Sequence, residues 1–534
     1  MLEFMSKPER RWALRWAAIV VALTCLPYLL AWWLAPADTQ YTGLLINHYD
    51  GESYYAKMQQ GARGDWLFHL AFTPEPHDGA FIFTFYLALG HLAAILGLPI
   101  PLVYHLARIV AGLFFLVVAY RFISRFLEKV QSRRAAFLLL GFSAGFGWLL
   151  APLGVITADL WVVEGFTFLS ILANPHFPLA MGLMLLLFTH VLDASLPKPI
   201  PPAERATAGR QTTAQLLAAA GLGLLLAVIQ PFAVPVAMAV LAVFLGSLTL
   251  RDHRLPGLGI LITAVAAAGA APIMLYDLYV YNSNPALTAW SAQNLTPSVP
   301  PWDYALSYGL ILLLAIGGIV IALRRRGSAD LFLLSWVGSI AVLLYVPFAL
   351  QRRFITGLHV PLTLLAAIGL EQIVWPRLRA RRRALVTGLI VGFSALTSLF
   401  VPLVAVAGVA QGQPPLVMTR DEADACAWLG EHTPWTDTVL TPPESGQFIP
   451  AWAGNRVVYG HPFETIEAET KREESARFFN PDAAVADRRA LLDRYDVRYV
   501  FVDPLGTDLD PAALGLTPTW RGRDAVLYHV EATW

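Results

Sequence analysis

Apolar runs of about 18 to 25 residues, broken by short charged or proline-rich stretches, recur from Trp12 to Val409, and each can cross a hydrocarbon core of ~30 Å at 1.5 Å per residue. Such runs exclude a soluble globular fold for most of the chain. Of 534 residues, 56% are hydrophobic and 14% charged, too little polar surface to cover a water-soluble protein of this size. Lipid must do the solvating. The formal net charge is zero, so no overall field attracts nucleic acid or another polyanion; charge acts only through its position. Cys25 lies in the first apolar run and Cys426 in the polar tail, which predicts neither a disulfide nor a cysteine metal site.

The first run, about Trp12 to Leu34, follows Lys7, Arg10 and Arg11 as a signal peptide would, but it is too long and lacks a small-x-small cleavage site. It is expected to be a retained helix with a cytoplasmic N-terminus. Basic clusters mark cytoplasmic loops, and they recur at Arg121 to Arg134, Lys198 to Arg210, Arg251 to Arg254, Arg324 to Arg326 and Arg377 to Arg383. Spans at residues 12–34, 103–123, 135–153, 177–193, 214–230, 232–249, 257–276, 304–323, 330–349, 355–374 and 385–409 place all five clusters on one side. About eleven transmembrane helices then leave the C-terminus outside the inner (plasma) membrane. Phe81 to Leu98 is left out of the count, because a crossing there would invert everything that follows. It reads as an interfacial or re-entrant helix in a large first external loop, residues 35–102. A further crossing beside a neighbour drawn wrongly is the alternative.

From Gln411 the apolar runs stop. Asp421 to Glu431 and Ala484 to Tyr495 read as helices, and Thr438 to Leu440, Arg456 to Tyr459 and Val497 to Val502 as strands. The expected architecture is an all-α polytopic membrane domain, residues 1–410, followed by an extracytoplasmic α/β domain, residues 411–534. No internal repeat suggests the inverted halves of a secondary transporter. Pro197 to Pro202 reads as a proline-rich linker.

Polar residues beside a bilayer are costly and therefore informative. His48-Tyr49-Asp50-Gly51-Glu52-Ser53-Tyr54-Tyr55 sets two carboxylates among tyrosines soon after the first helix. A carboxylate at the outer surface serves as general base toward an acceptor hydroxyl or helps to hold a divalent cation; a helix cap with solvated acids explains the pattern as well. Gly64-Asp65-Trp66 and Thr73-Pro74-Glu75-Pro76-His77-Asp78-Gly79 follow, and the prolines predict an extended connection presenting Glu75 and His77, or simply a turn. The second external loop carries Asp159, Trp161 and Glu164, then Asn174-Pro175-His176, with Asn174 read as a cap. Arg108 lies about five residues inside the second span, where it faces a protein cavity or snorkels. Arg352 and Arg353 are the basic cluster that the topology leaves outside; a planar guanidinium pair suits a phosphate or pyrophosphate, as it also suits anionic lipid head groups.

A first helix, a long loop opening on an acidic motif and Y-Y-A-K-M, then G-D-W, then a proline-rich turn into an apolar helix resembles the GT-C superfamily of membrane glycosyltransferases. The likeness is to the protein mannosyltransferase and lipid A aminoarabinose transferase branch. Asp50 matches the loop acid, Gly64, Asp65 and Trp66 match the G-D-W, and Arg108 loosely matches an arginine of the following span. Two departures stand out: Gly51 splits the acidic pair into D-G-E, which leaves Asp50 or Glu52 as the functional acid, and E-P-H-D-G replaces the family's P-P-L turn. The motifs cover residues 12–190, and the remainder is alike in architecture only. The resemblance implies a polyprenyl-phosphate-linked sugar as donor, membrane lipids as surroundings, an inverting transfer on the extracytoplasmic side, a loop acid that activates the acceptor, and arginines that hold the lipid phosphate. Under it the catalytic candidates are Asp50, Glu52 and Glu164. The substrate-binding candidates are Tyr54, Glu75, His77, Arg108, Asp159, His176, Arg352 and Arg353. A metal requirement stays open. Two rivals remain: a transporter or flippase of a lipid-linked substrate, for which a broken helix at Gln230-Pro231 and Pro235 would argue, and a non-catalytic relative.

Overall fold

A computed structural model of the chain describes residues 5–196, 205–502 and 509–531. The Pro197 to Pro202 stretch and Lys198 lie outside the described residues. The chain folds as a mostly helical polytopic membrane protein with a small C-terminal sheet. Its contacts divide it into two compact units: Met1–Pro27 with His105–Tyr276 and Thr296–Val404, and Tyr28–Tyr104 with Asp277–Leu295 and Ala405–Trp534.

Every span expected from the apolar runs falls on a helix. Among the described residues eight helices are long and apolar enough to cross a membrane: Lys7–Leu34, Ile100–Ile123, His176–Ser195, Thr212–Ile229, Ala233–Asp252, Gly257–Ser283, Pro301–Arg325 and Ala380–Ala410. A ninth is formed if Val130–Phe142 and Gly147–Leu153, bent by 40°, count as one. The bend has a local cause, since the backbone amides of Gly145 and Gly147 leave the helical ladder and donate to the Asp159 carboxylate at 3.0 Å each. The two remaining expected spans are shorter helices. Ser328–Leu343 has 16 residues and stops ahead of Pro347, whose ring disfavours helix in the residue before it. His359–Gly369 has 11 and passes into a π turn at Leu370–Val374. Gln230-Pro231 falls between two separate spans, with Gln230 closing on Leu226 and its side chain donating to Thr356 at 3.1 Å.

In the first, helical unit, Pro301–Arg325 packs on His359–Gly369 through glycines. A Cβ at Gly318 would lie 2.0 Å from the Leu365 carbonyl oxygen and one at Gly369 2.2 Å from that of Leu314, so only bare backbone allows this approach. Trp336 is fully buried against Phe188, ring centroids 4.8 Å apart, with Phe122 and Phe332 around it.

The second, α/β unit contains two sheets. Strand β1 (Thr39–Tyr41) pairs antiparallel with β2 (Val417–Thr419). The other sheet uses β3 (Thr438–Leu440), β4 (Arg456–Val457), β5 (Val497–Val502), β6 (Leu516–Arg521) and β7 (Val526–Val530), in the order β4-β3-β5-β7-β6. Strand β3 runs parallel to both β4 and β5, while β7 is antiparallel to β5 and β6. Helices Arg420–His432 and Val485–Arg494 stand where the hydrophobic periodicity places them. The first begins with a capping box in which Thr419 accepts from the Glu422 amide at 3.0 Å and Glu422 accepts from the Thr419 amide at 2.7 Å. The core joins Ala56 and Phe72 to Met418, Cys426, Leu429, Val439, Phe448 and Leu527. Residues from the first loop and the tail thus share one interior.

The apolar helix within that loop is Thr84–Leu96, 13 residues long. At 1.5 Å per residue it reaches about 20 Å, short of a hydrocarbon core. It packs on His48–Ala62 through two glycines: a Cβ at Gly61 or at Gly90 would fall 2.0 Å from the carbonyl oxygen of Leu87 or Met58 respectively.

Candidate functional site

Helix His48–Ala62 carries the acidic motif. Asn47, in the left-handed region at φ 49°, turns the chain into it, and Asp50 falls in its first turn, where the helix dipole favours negative charge. Among the described residues no backbone or side-chain donor holds the Asp50 carboxylate, which is half-buried. His48 and His461 are within its electrostatic reach. Burial pulls His48 down to about 4, helped by His461 and opposed by Asp50. Burial also lowers His461, whose Nδ1 accepts the backbone amides of Phe463 and Glu464 at 3.0 Å each. Both imidazoles are therefore neutral at pH 7, and Asp50 has no cation among them.

The other acid of the motif has a different setting. Glu52 is fully buried; the Trp452 indole donates to its Oε2 at 3.1 Å, and Oε1 has no partner among the described residues. Burial pushes its carboxyl well above the usual range, against that one hydrogen bond. One turn on, Ser53 and Lys57 meet Glu464. The Lys57 Nζ donates to Glu464 Oε1 at 2.7 Å and to the Ser53 hydroxyl, which itself donates to Glu464. The ammonium also faces the Phe83 ring at 4.5 Å and that of Phe68 at 5.1 Å. Burial alone would raise Glu464, but Lys57, then His461 and the hydrogen bonds, outweigh it and hold the carboxyl low. The Ser53 hydroxyl bridges the pair. Tyr54 stacks on Tyr86 with centroids 4.2 Å apart, inside the core.

Glu75 and His77 are held in place by their own turn. Lys471, buried, donates to Glu75, to Thr73 at 3.2 Å and to the Ile466 carbonyl at 2.8 Å. His77 donates from Nδ1 to the Glu75 carbonyl and accepts the Leu70 amide at Nε2, both at 2.8 Å, which fixes one neutral tautomer; burial lowers its pKa. In the G-D-W segment, Asp65 pairs with Arg63 and Trp66 stacks on His91 at 4.2 Å.

The helical unit holds the remaining candidates. Glu164, buried, accepts from Arg353 at 3.4 Å, and the Arg353 side chain is 23% exposed. The Arg352 guanidinium lies over the Trp161 ring at 4.5 Å. Asp159 accepts from Thr157 at 2.6 Å besides the two glycine amides, so its carboxylate is committed to the bend; burial raises it against those bonds. Asp303 supports the same turn, accepting from the Ala158 amide at 2.8 Å and from Ser307 at 2.9 Å. Arg108 faces protein: its guanidinium donates to the Ile171 carbonyl at 2.9 Å, to Thr24 Oγ1 at 3.1 Å and to His105 at 3.3 Å. His176 begins its helix, buried, its ring 4.1 Å from that of Phe177.

The structure thus gathers Glu164 with Arg353 and Trp161 with Arg352 in one unit, and Asp50 with His48 and His461 in the other. Sequence reading passed over His48, Lys57, His461 and Glu464 as functional groups. Lys57 carried one usable signal, a lone ammonium in the K of Y-Y-A-K-M on a helix of low charge; Glu464 and His461 carried none. Among the described residues no three His, Cys, Asp or Glu side chains come together as a metal site.

Neither a scan against models of known families nor a search of curated proteins finds a match. Solved structures do match. The oligosaccharyltransferase of Archaeoglobus fulgidus, tethered to an acceptor peptide containing the NVT sequon, aligns with a TM-score of 0.53 at 16% identity, over 91% of this chain and 69% of that one. ArnT from Cupriavidus metallidurans in the apo state aligns with a TM-score of 0.51 at 15% identity, over 96% of this chain and 97% of that one. The same ArnT bound to undecaprenyl phosphate gives 0.51 at 14% identity, with 96% and 97% covered. In fold, this chain resembles the GT-C membrane glycosyltransferases.

Proposed function

We propose that this chain is an inverting glycosyltransferase that takes a sugar from a polyprenyl-phosphate-linked donor on the extracytoplasmic face of the plasma membrane. The Asp50 carboxylate accepts the acceptor's proton as the acceptor oxygen bonds to the anomeric carbon. The bond from that carbon to the phosphate oxygen breaks on the opposite side, and the polyprenyl phosphate leaves with the electron pair. In the helical unit, Arg353 and Arg352 offer guanidinium groups suited to a lipid phosphate.

The observation that carries this reading is the state of the two acids in D-G-E. Glu52 is fully buried in an apolar interior that pushes its carboxyl up and closes it to an acceptor, whereas Asp50 is partly exposed and uncommitted. The likeness in fold to ArnT bound to undecaprenyl phosphate supports the donor class, and the basic clusters support the side. The chain is not read as a flippase, because its best broken-helix candidate is a turn between two spans. The test is to incubate the purified full chain with radiolabelled polyprenyl-phosphate sugars and to follow release of the sugar to water or to an acceptor. Release that depends on Asp50 supports the reading; no release from any of the donors ends it.

A further inference from the structure

The α/β unit contains a cleft of about 350 Å³, lined by Pro442, Pro443 and Glu444 from one segment and by Arg472, Glu473 and Phe479 from another. That size lies within the range of about 300–1,000 Å³ usual for small-molecule sites. Both walls are tied to the unit by hydrogen bonds. The Pro442–Glu444 turn is closed by the Ser445 amide donating to Pro442 at 3.1 Å, and the Ser445 hydroxyl donates to Glu422 at 2.6 Å. Behind it Gly446 touches the Tyr459 backbone so closely that a Cβ would fall 2.0 Å from the Tyr459 carbonyl oxygen. On the opposite wall, helix Ala468–Phe478 is anchored by buried Lys471, which leaves its neighbours Arg472 and Glu473 pointing outward.

None of Glu444, Arg472 and Glu473 is in an ion pair among the described residues, so their hydrogen-bonding capacity is open to a ligand. Two phenols belong to the same surroundings: Tyr49 and Tyr459 each feel Arg472 and Glu444, and Tyr49 directly precedes Asp50. The Tyr49 ring is 5.6 Å from that of His461, which Asp50 also reaches. The cleft and the acid are thereby neighbours within one unit.

We infer that this cleft binds the glycan end of the acceptor, a sugar presenting neutral hydroxyls or an amino group. The inference rests on the transferase reading and names its acceptor class. Carboxylates and a guanidinium offer paired acceptors and donors to vicinal hydroxyls, and the faces of Pro442, Pro443 and Phe479 suit the C–H side of a pyranose. Two carboxylates against one guanidinium disfavour a phosphorylated sugar, since the lining itself is negative.

The test measures binding directly on the full chain in nanodiscs of neutral lipid, by titration and ligand-observed NMR. The probes are a neutral disaccharide, an amino-sugar disaccharide, a sugar phosphate and a short uncharged peptide. The neutral or amino disaccharide should bind, the sugar phosphate should bind at least about tenfold more weakly, and Glu444→Ala or Arg472→Ala should weaken the disaccharide about tenfold. Glu444→Gln, which keeps the shape and one acceptor oxygen, should fall between. Equal binding by wild type and both alanine variants overturns the inference, as does preference for the sugar phosphate or for the peptide. Donor turnover by the wild type is followed in parallel: its absence beside intact disaccharide binding removes the transferase reading and leaves the cleft a carbohydrate site, while its presence without disaccharide binding removes only the cleft.

Discussion

Lys57 and Glu464, 407 positions apart in the chain, meet at 2.7 Å as an ion pair with almost no access to water. Breaking one side of such a pair strands the other charge. Lys57→Met should therefore destabilise the protein by about 3–5 kcal/mol, whereas Lys57→Met combined with Glu464→Leu should recover much of that loss, because no charge then remains to be solvated. Thermal unfolding of the detergent-solubilised variants reads the difference. A double variant no better than the single one would mean that the pair is held by something other than mutual compensation.

Glu52 gives a pH dependence of defined sign. Its folded-state pKa is raised, so the folded chain holds this proton more firmly than the unfolded chain does. The stability it contributes is complete below the ordinary glutamate value and is lost as pH rises through the raised one. Glu52→Gln keeps the hydrogen bond from Trp452 and cannot ionise. It should melt higher than wild type at pH 8, with the gap closing toward pH 4.5. A gap that widens toward acid would show Glu52 to be charged in the folded protein.

Asp50→Asn retains size and removes charge and basicity. Sugar transfer should fall by about 10²-fold or more, with the melting temperature and donor affinity little changed. Turnover equal to wild type would take the base away from Asp50 and leave Glu164 to be tried next.

Arg353 faces two demands, since it pairs with Glu164 and is proposed to hold the donor phosphate. Arg353→Ala should weaken polyprenyl phosphate about 10- to 100-fold, and Arg353→Lys should restore only part of it, for want of the planar fork. Combining Arg353→Ala with Glu164→Gln separates the two roles. Stability should return as the stranded carboxylate is removed, while lipid affinity should not. Titration in nanodiscs of neutral lipid, with a melt of each variant, reports both.

The proposed orientation is open to thiol labelling. Cysteines placed singly at exposed His253 and exposed Ala484, in a chain freed of Cys25 and Cys426, should differ toward an impermeant reagent added outside, with only the second reacting. Reaction of both, or of the first alone, would refute the proposed topology.

The apolar runs were legible because a span must satisfy lipid by composition alone, without help from distant residues. Where polar chemistry intervenes, the sequence said less. Nothing local foretold that Asp159 would take the amides of Gly145 and Gly147 and bend a span, since a carboxylate in a loop reads equally well as solvated. The short strands and helices of the tail were readable from their alternation and caps. That residues 28–104 and 277–295 fold together with that tail was not, because the join depends on pairings such as Thr39 with Thr419, whose partners lie hundreds of residues away. The same distance hid the difference between Asp50 and Glu52. Two residues apart, they are separated in chemistry by Trp452 and the apolar interior that the tail provides.

The α/β unit is drawn from three separated stretches, the last of which begins at Ala405. At about 5–20 residues per second, the ribosome needs roughly 20–80 s after making Lys57 before Glu464 exists to meet it. Throughout that interval the helix bearing Asp50 has neither its interior nor its counter-charge. The interior around this helix is thus completed only once the tail has been made, and a chain truncated before Glu464 leaves the Lys57 ammonium without that counter-charge.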